Sequence, residues 1–214
     1  MAYTLQLLHA SDLEGGVDAL VSAPNFAAIV DTLGDTFENT LLISAGDNVI
    51  PGPFFNTAAD FSFGGPDGAL ADAYTRYFTE IVGLNLETEG IEFDFDRGVG
   101  RVDISIMNIL GFDASALGNH EFDSSTGTLA DFIGGQEDDG NIDWTGTFFP
   151  YLSANLDFSN DGALSGLATD QILSAENFNE SLADLAAGNI GPSIAPATVI
   201  EEGGERIGVI GATT

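Results

Sequence analysis

The chain of 214 residues contains no cysteine and no lysine, and its basic residues are four arginines. The absence of cysteine excludes thiolate metal sites and cysteine nucleophiles, and it leaves the redox compartment open. No stretch approaches the roughly 20 apolar residues that a membrane-spanning helix needs, so we expect no membrane span. Histidine is also scarce, since only His9 and His120 are present.

Positive charge is nearly missing, because 34 acidic residues face 4 basic ones and the formal net charge is −30. Such a surface repels nucleic-acid phosphates, which excludes nucleic acid as a partner. The self-repulsion needs screening by salt or divalent cations, as in a high-salt cytoplasm or a calcium- and magnesium-rich exterior. Most acids outside the motifs described below are interpreted as a solvated surface.

Apolar residues are nevertheless plentiful, at 44% of the chain with 16 phenylalanines. That content is enough for a sizeable core, so we expect one domain or one large domain with insertions. The opening stretch "MAYTLQLLHAS" has no basic region and no cleavage site, and is therefore not a conventional signal peptide.

Hydrophobic periodicity predicts alternating strands and helices, which is typical of an α/β fold with a parallel sheet. Strands are predicted within 3–9, 39–47, 112–123, 149–159 and 196–214, the last as a hairpin around Gly203-Gly204. Helices are predicted at 24–34, 67–83, 99–111 and 127–135, with weak helices in 160–190. Residues 50–66 are predicted as a loop and 84–98 as an irregular, mobile acidic insertion.

Small polar clusters follow three of the predicted strands: Asp12-Leu13-Glu14, Gly46-Asp47-Asn48 and "GNHEFD" at 118–123. If the strands are parallel, these clusters meet at one edge of the sheet. Oxygen ligands with imidazole suit Zn, Mn, Fe, Mg or Ca, and a two-metal site needs a bridging carboxylate. Asp12, Asp47 and Asn119 are well placed for such a site. Each of the first two clusters, taken singly, is more typical of a turn than of a metal site.

Six motif residues in order make "GNHEFD" far more specific. The order of the three clusters resembles the calcineurin-like metallophosphoesterases, and the flanking segments resemble their 5′-nucleotidase branch. "LQLLHASDLEGG", "LLISAGDNVIPGPFFN" and "IMNILGFDASALGNHEFD" are similar to the first three sequence blocks of that branch. "FPYLSANL" and "ERIGVIGATT" are similar to two later strands, whereas 50–100 and 157–195 diverge.

This resemblance implies a four-layer αββα sandwich with two divalent metal ions at the sheet edge. Asp12 would ligate the first metal, Asp47 would bridge both, and Asn119 would ligate the second. His120, paired with Asp123, would act on the phosphate or the leaving group. The implied activity is hydrolysis of small phosphomonoesters such as nucleotides, with a metal-bridged hydroxide as the nucleophile. The resemblance also implies an extracellular or periplasmic location, and the alternative is the cytoplasm of a halophile.

Glu14 departs from the family pattern, because it stands where the family has histidine. A carboxylate ligand there would favour Ca, Mg, Mn or Fe over Zn. The alternative is that Glu14 is a surface acid and the first site is degenerate. We expect Glu14 to be a ligand, because the strand end directs it toward the site.

Further histidine ligands of the family come from strands after the segment that "IGATT" resembles. The hypothesis is therefore that 1–214 is the N-terminal part of a longer enzyme, truncated within the metallophosphoesterase domain, and is weak or inactive alone. The remainder of the same protein would then be its partner. His9 matches a structural neighbour rather than a ligand. The alternative function is a non-catalytic metal- or calcium-binding module, favoured by Glu14 and the scarcity of histidine.

Overall fold

The computed structural model describes residues 3–214 apart from 15, 17, 66, 139–140, 175–183, 185 and 189–190. Its strands are β1 (Gln6–Ala10), β2 (Thr40–Ser44), β3 (Ala114–Ala116), β4 (Gln136–Asp138), β5 (Asn141–Trp144), β6 (Tyr151–Leu152), β7 (Leu173–Ser174), β8 (Ile194–Ala195), β9 (Ala197–Glu202) and β10 (Glu205–Ile210). Its α-helices are α1 (Ala19–Gly34), α2 (Phe61–Gly64), α3 (Ala69–Arg76), α4 (Leu86–Glu89), α5 (Arg101–Leu110) and α6 (Thr126–Ile133). Shorter helical segments cover Thr57–Ala59, Tyr77–Val82 and His120–Phe122.

The largest sheet has five strands in the order β1-β2-β3-β6-β8, and all its neighbours are parallel. The sequence order of the strands follows the spatial order, with helices in the crossovers between β1, β2, β3 and β6. Parallel pairing aligns the carboxyl ends of β1, β2 and β3 at one edge. The prediction of an α/β fold with a parallel sheet is thus confirmed.

A second sheet, in the order β10-β9-β7, contains the β9–β10 hairpin. Its turn, Gly203-Gly204, has positive φ values of 58° and 81°, as a tight two-residue hairpin turn requires. Val209 of this sheet packs with Ala114 and Leu152 of the five-stranded sheet. The opposite face of the five-stranded sheet belongs to the main core, which it shares with the helices. This helix–sheet–sheet order matches three layers of the predicted αββα sandwich.

Aromatic side chains fill much of the main core around Tyr74, which makes edge-on contacts with several rings. Phe93 and Phe95, from the segment predicted to be a mobile acidic insertion, are buried among these rings. The segment 84–98 is irregular outside α4, as predicted, but its phenylalanines anchor it to the core. Burial of these two aromatic rings opposes mobility of the segment, and the mobility itself stays a prediction.

Several predicted boundaries are also wrong. The helix predicted at 24–34 begins at Ala19, so Pro24 lies inside it rather than near its start. The strand predicted within 149–159 pairs only over Tyr151–Leu152. The first strand is not buried, because β1 lies at the sheet edge and Leu7 is 55% exposed.

The helices predicted within 160–190 are not seen at 160–172, where the chain forms turns. The rest of that prediction lies largely outside the described residues. No helix in the described ranges combines the length and the apolar character required to cross a membrane.

Candidate active site

Three loops that follow neighbouring parallel strands form the candidate site. Ala10 at the end of β1 pairs with Ser44 at the end of β2, and Ser44 pairs with Ser115 in β3. The polar clusters that begin at Asp12, Gly46 and Gly118 therefore emerge side by side. The fold thus brings the three motifs together at one sheet edge, as predicted.

Two glycines let these loops approach each other at backbone distance. A Cβ on Gly46 would lie 2.4 Å from the nitrogen of Gly118, and Gly46 has a φ of 101°. A Cβ on Gly118 would lie 2.2 Å from Oδ1 of Asp47. Any side chain at either position would push the second and third loops apart.

Asp12 and Asp47 both adopt the left-handed backbone conformation, with φ of 54° in each case. Non-glycine residues seldom adopt this conformation, although aspartate tolerates it better than most. The N–H of Asp12 donates to the carbonyl of Gly46 at 3.2 Å, which ties the first loop to the second. Backbone strain at two matching loop positions is typical of functional sites.

His120 is held by Asp47 of the second loop and by Asp123 of its own loop. Its backbone N–H donates to Oδ1 of Asp47 at 2.9 Å, and its Nδ1 lies 2.7 Å from Oδ2 of Asp123. The hydrogen bond to Asp123 raises the pKa of the imidazole, and the charges of Asp123, Asp47 and Glu14 add to that shift. The predicted His120–Asp123 pair is therefore present in the structure, with Nε2 as the ring nitrogen left for other partners.

The charges of other site residues act on the carboxyl of Glu14. Burial raises the pKa of its carboxyl; His120 lowers that pKa, and Asp47 and Asp12 raise it. Its Oε2 is buried and has no hydrogen-bond partner among the described residues. A buried carboxylate oxygen without a partner is costly, and a cation is one group that would satisfy it.

The two remaining predicted residues, Asp12 and Asn119, have fewer side-chain contacts with the other site residues. Oδ2 of Asp12 accepts a hydrogen bond from the Ser11 hydroxyl at 2.7 Å. Asn119 is exposed and lies between Gly118 and His120, the two residues whose backbone contacts Asp47. In the described part of the chain, no three His, Cys, Asp or Glu side chains are arranged to hold a metal ion.

His9 lies on the exposed face of β1, whereas Leu8 packs against the main core. It lines a cavity between the two sheets together with Val209 and Ile210 of β10.

A polar network under the site was not predicted from the sequence. Asn48 is buried; its Oδ1 accepts from the Ser44 hydroxyl at 2.6 Å, and its Nδ2 donates to Ser115 Oγ at 2.8 Å and to the Tyr151 hydroxyl at 3.3 Å. These contacts link β2, β3 and β6 directly below the loops. Glu121, inside "GNHEFD", was also given no role, although its position in the motif was a signal.

A cavity of about 310 Å³ opens beside Asp12 and Glu14. Phe26 of α1, Phe54 and Met107 of α5 supply much of its apolar wall. The cavity places apolar surface next to the polar loops, as is common where a site takes a small organic ligand.

Comparison with known proteins gives partial matches. No protein-family model matches the chain. The chain is 33% identical over 127 residues to the trifunctional nucleotide phosphoesterase protein YfkN of Bacillus subtilis, covering 56% of this chain and 8% of that protein. It is 33% identical over 124 residues to the snake venom 5′-nucleotidase of Gloydius brevicauda, covering 58% of this chain and 15% of that protein. The matched part is thus a small fraction of each relative.

Two solved structures resemble the whole chain. The 5′-nucleotidase precursor from Thermus thermophilus has a TM-score of 0.54 and 25% identity, covering 99% of this chain and 29% of that one. The NAD nucleotidase NadN of Haemophilus influenzae has a TM-score of 0.51 and 18% identity, covering 98% of this chain and 29% of that one. The second likeness is one of fold alone. Together with the sequence matches, the first of these structures confirms the resemblance inferred from the motifs.

Proposed function

We propose that this chain, which is similar to 5′-nucleotidases, is a metal-dependent phosphoric ester hydrolase of the metallophosphoesterase type. Its proposed substrates are small phosphomonoesters such as nucleotides, as in a 5′-nucleotidase or an alkaline-phosphatase-like enzyme. The observation that carries the proposal is the junction at Asp47, whose carboxylate binds the His120 N–H while His120 pairs with Asp123. A carboxylate, an imidazole and its orienting acid thus meet at one sheet edge.

Four residues would hold the metal ions: Asp12, Glu14, Asp47 and Asn119. Their carboxylate and amide oxygens suit two divalent cations, of which Mn, Mg, Ca, Fe and Zn are the candidates. The buried, unpartnered Oε2 of Glu14 supports this assignment and favours Glu14 as a ligand over Glu14 as a surface acid. Bound cations would offset the charge of the phosphate and make an attacking water easier to deprotonate.

The residues of the chain itself supply orientation and proton transfer. Asp123 accepts from Nδ1 of His120 and so fixes the tautomer that presents Nε2 to the substrate. With its pKa raised by Asp123, His120 is suited to hold a proton at Nε2 and deliver it to the leaving-group oxygen. Asp47 fixes the backbone of His120, and the neighbouring apolar cavity offers space for the organic part of a substrate.

The alternative is a non-catalytic metal- or calcium-binding module descended from the same family. Glu14 favours it, because an extra carboxylate in place of histidine makes the first site more suited to calcium. The His120–Asp123 pair favours the enzyme, since metal binding alone does not need an oriented imidazole.

We also propose that the enzyme belongs to a longer protein and acts outside the cytoplasm. The sequence matches cover 8% and 15% of the length of the relatives described above, which supports a longer protein with a C-terminal partner region. The snake venom origin of one relative and the precursor status of a solved neighbour support an extracellular or periplasmic location.

Metal titration with two readouts separates the two functions. The full-length protein is titrated with Mn²⁺, Mg²⁺, Ca²⁺ and Zn²⁺ by calorimetry, and phosphate release from p-nitrophenyl phosphate and AMP is measured at each metal concentration. The enzyme proposal predicts release that rises with metal occupancy. Tight metal binding without any release favours the module instead.

A further inference from the structure

Glu121 makes contacts that its position in "GNHEFD" does not reveal. It is 2% exposed, and its carboxylate accepts three backbone hydrogen bonds. Oε1 accepts from the N–H of Asn48 at 2.7 Å, and Oε2 accepts from the N–H of Asp47 at 3.0 Å and of Gly118 at 2.7 Å. One buried side chain therefore binds the second and third site loops together.

The three bonds act on the part of the backbone that positions the proposed ligands. Asp47 has a left-handed φ of 54°, and its N–H is one of the donors to Glu121. Gly118 comes directly before Asn119, so its N–H fixes the start of the loop that carries Asn119 and His120. A carboxylate that accepts several backbone N–H groups is among the stronger hydrogen-bonded arrangements in proteins.

We propose that Glu121 is a positioning residue, which sets the Asp47 and Asn119 loops in the arrangement that binds metal. The inference rests on the proposed function and assigns Glu121 no contact with substrate, because both of its oxygens are buried and occupied by N–H groups. Residues that orient metal ligands in this way typically change metal affinity about 10- to 100-fold when they are replaced.

A carboxylate is required for this geometry. A glutamine at 121 has one acceptor oxygen, so its amide N–H₂ would face at least one backbone N–H donor. An aspartate keeps both oxygens but is one methylene shorter, and so cannot reach both loops equally well. Glu121→Gln is therefore the sharper change, and Glu121→Asp is the conservative one.

The test measures Mn²⁺ affinity by calorimetry and backbone amide exchange by NMR in the metal-free protein. Glu121→Gln should weaken Mn²⁺ binding about 10- to 100-fold. It should also speed exchange of the Asp47, Asn48 and Gly118 amides at least tenfold, whereas the β2 amides change little. Glu121→Asp should give a smaller loss in both measurements, and it carries the test if Glu121→Gln does not fold.

Two matched controls separate positioning from general stability. Glu38→Gln makes the same change at an exposed glutamate and should leave Mn²⁺ affinity within twofold of wild type. Ile142→Val removes a buried methylene in β5, outside the three loops, and should lower the melting temperature without weakening Mn²⁺ binding.

The outcomes distinguish this inference from the proposed function. Wild-type Mn²⁺ affinity in Glu121→Gln and Glu121→Asp would overturn the positioning role while leaving the phosphatase proposal intact. A wild-type protein that binds no Mn²⁺ would overturn it too. If Mn²⁺ binding depends on Glu121 but no variant releases phosphate, the positioning role stands and the proposed catalysis fails.

Discussion

At the scale of single residues, Asp47, His120 and Asp123 form the most closely connected part of the candidate site. The carboxylate of Asp47 accepts the backbone N–H of His120, and the side chains of His120 and Asp123 contact each other. Glu121 and Asn48 were missed, because their roles depend on backbone N–H groups and strands that are distant in sequence. Short-range spacing cannot report such contacts.

The His120–Asp123 pair gives a prediction at this scale. Asp123→Asn removes the carboxylate that fixes the imidazole tautomer and raises its pKa, so kcat should fall about 10- to 100-fold. Steady-state kinetics at saturating Mn²⁺, with Mn²⁺ affinity measured in parallel, tests this effect. Asp35→Asn, at an exposed aspartate, is the control and should have wild-type kinetics. An unchanged kcat in Asp123→Asn would contradict the assigned role.

Glu14 gives a second prediction. Glu14→His replaces a hard oxygen ligand with imidazole and removes a negative charge, so the ratio of Zn²⁺ to Mn²⁺ affinity should rise about tenfold or more. Calorimetric titration of both metals into wild type, Glu14→His and Glu14→Gln measures the ratio. The glutamine variant should weaken both metals together. Equal affinity ratios in all three proteins would show that Glu14 is not a ligand.

At the scale of helices and strands, the predictions were right in kind and less accurate in extent. Periodicity identified α5 and the β9–β10 hairpin closely, because each carries a strong local pattern. β6 is far shorter than predicted, and α1 starts earlier. Strand length depends on pairing partners, which a single sequence does not specify.

Close packing of the second and third loops predicts a large effect of a small substitution. Gly118→Ala would place a Cβ 2.2 Å from Oδ1 of Asp47, so the free energy of unfolding should fall by about 1–3 kcal/mol. Gly127→Ala in α6 is the matched control, since the nearest atom to its Cβ would be 3.7 Å away. That change should stabilise the protein by about 0.5–1 kcal/mol. Denaturant unfolding measures both variants, and equal stability would contradict the steric account.

Asp113, the residue directly before β3, is hydrogen-bonded to Leu42 of β2, and its carboxyl predicts a pH dependence of stability. Its Oδ2 accepts the N–H of Leu42 at 2.7 Å, and burial raises the pKa of its carboxyl from the usual 3.8 to about 6. The folded protein therefore binds the proton of the Asp113 carboxyl more tightly than the unfolded chain does. The stability that this protonation contributes is lost as pH rises from about 4 through about 6.

Asp113→Asn removes this titration while keeping an acceptor for Leu42. Relative to wild type, the variant should gain about 2 kcal/mol of unfolding free energy between pH 4 and pH 7. Urea unfolding of both proteins at a series of pH values isolates the difference, because the other carboxylates are shared. A constant difference across that range would contradict the assigned pKa.

At the scale of the whole molecule, the α/β class and the shared strand edge were predictable, because alternating elements favour a parallel sheet. The packing of the second sheet followed from the family resemblance rather than from local pattern. The net charge of −30 is compatible with the proposed chemistry, since a carboxylate-rich edge attracts divalent cations. The aromatic core and the buried phenylalanines of the acidic segment could not be predicted, as burial depends on the tertiary fold.

The central claim is that three strand ends form a metal-dependent phosphoesterase site centred on Asp47. Phosphate release from AMP, measured with and without Mn²⁺ for wild type and Asp47→Asn, tests it most directly. We predict metal-dependent release by wild type and a loss of at least about a hundredfold in Asp47→Asn. A folded full-length wild-type protein that binds Mn²⁺ without releasing phosphate, or a full-length Asp47→Asn variant with wild-type turnover, would contradict the account.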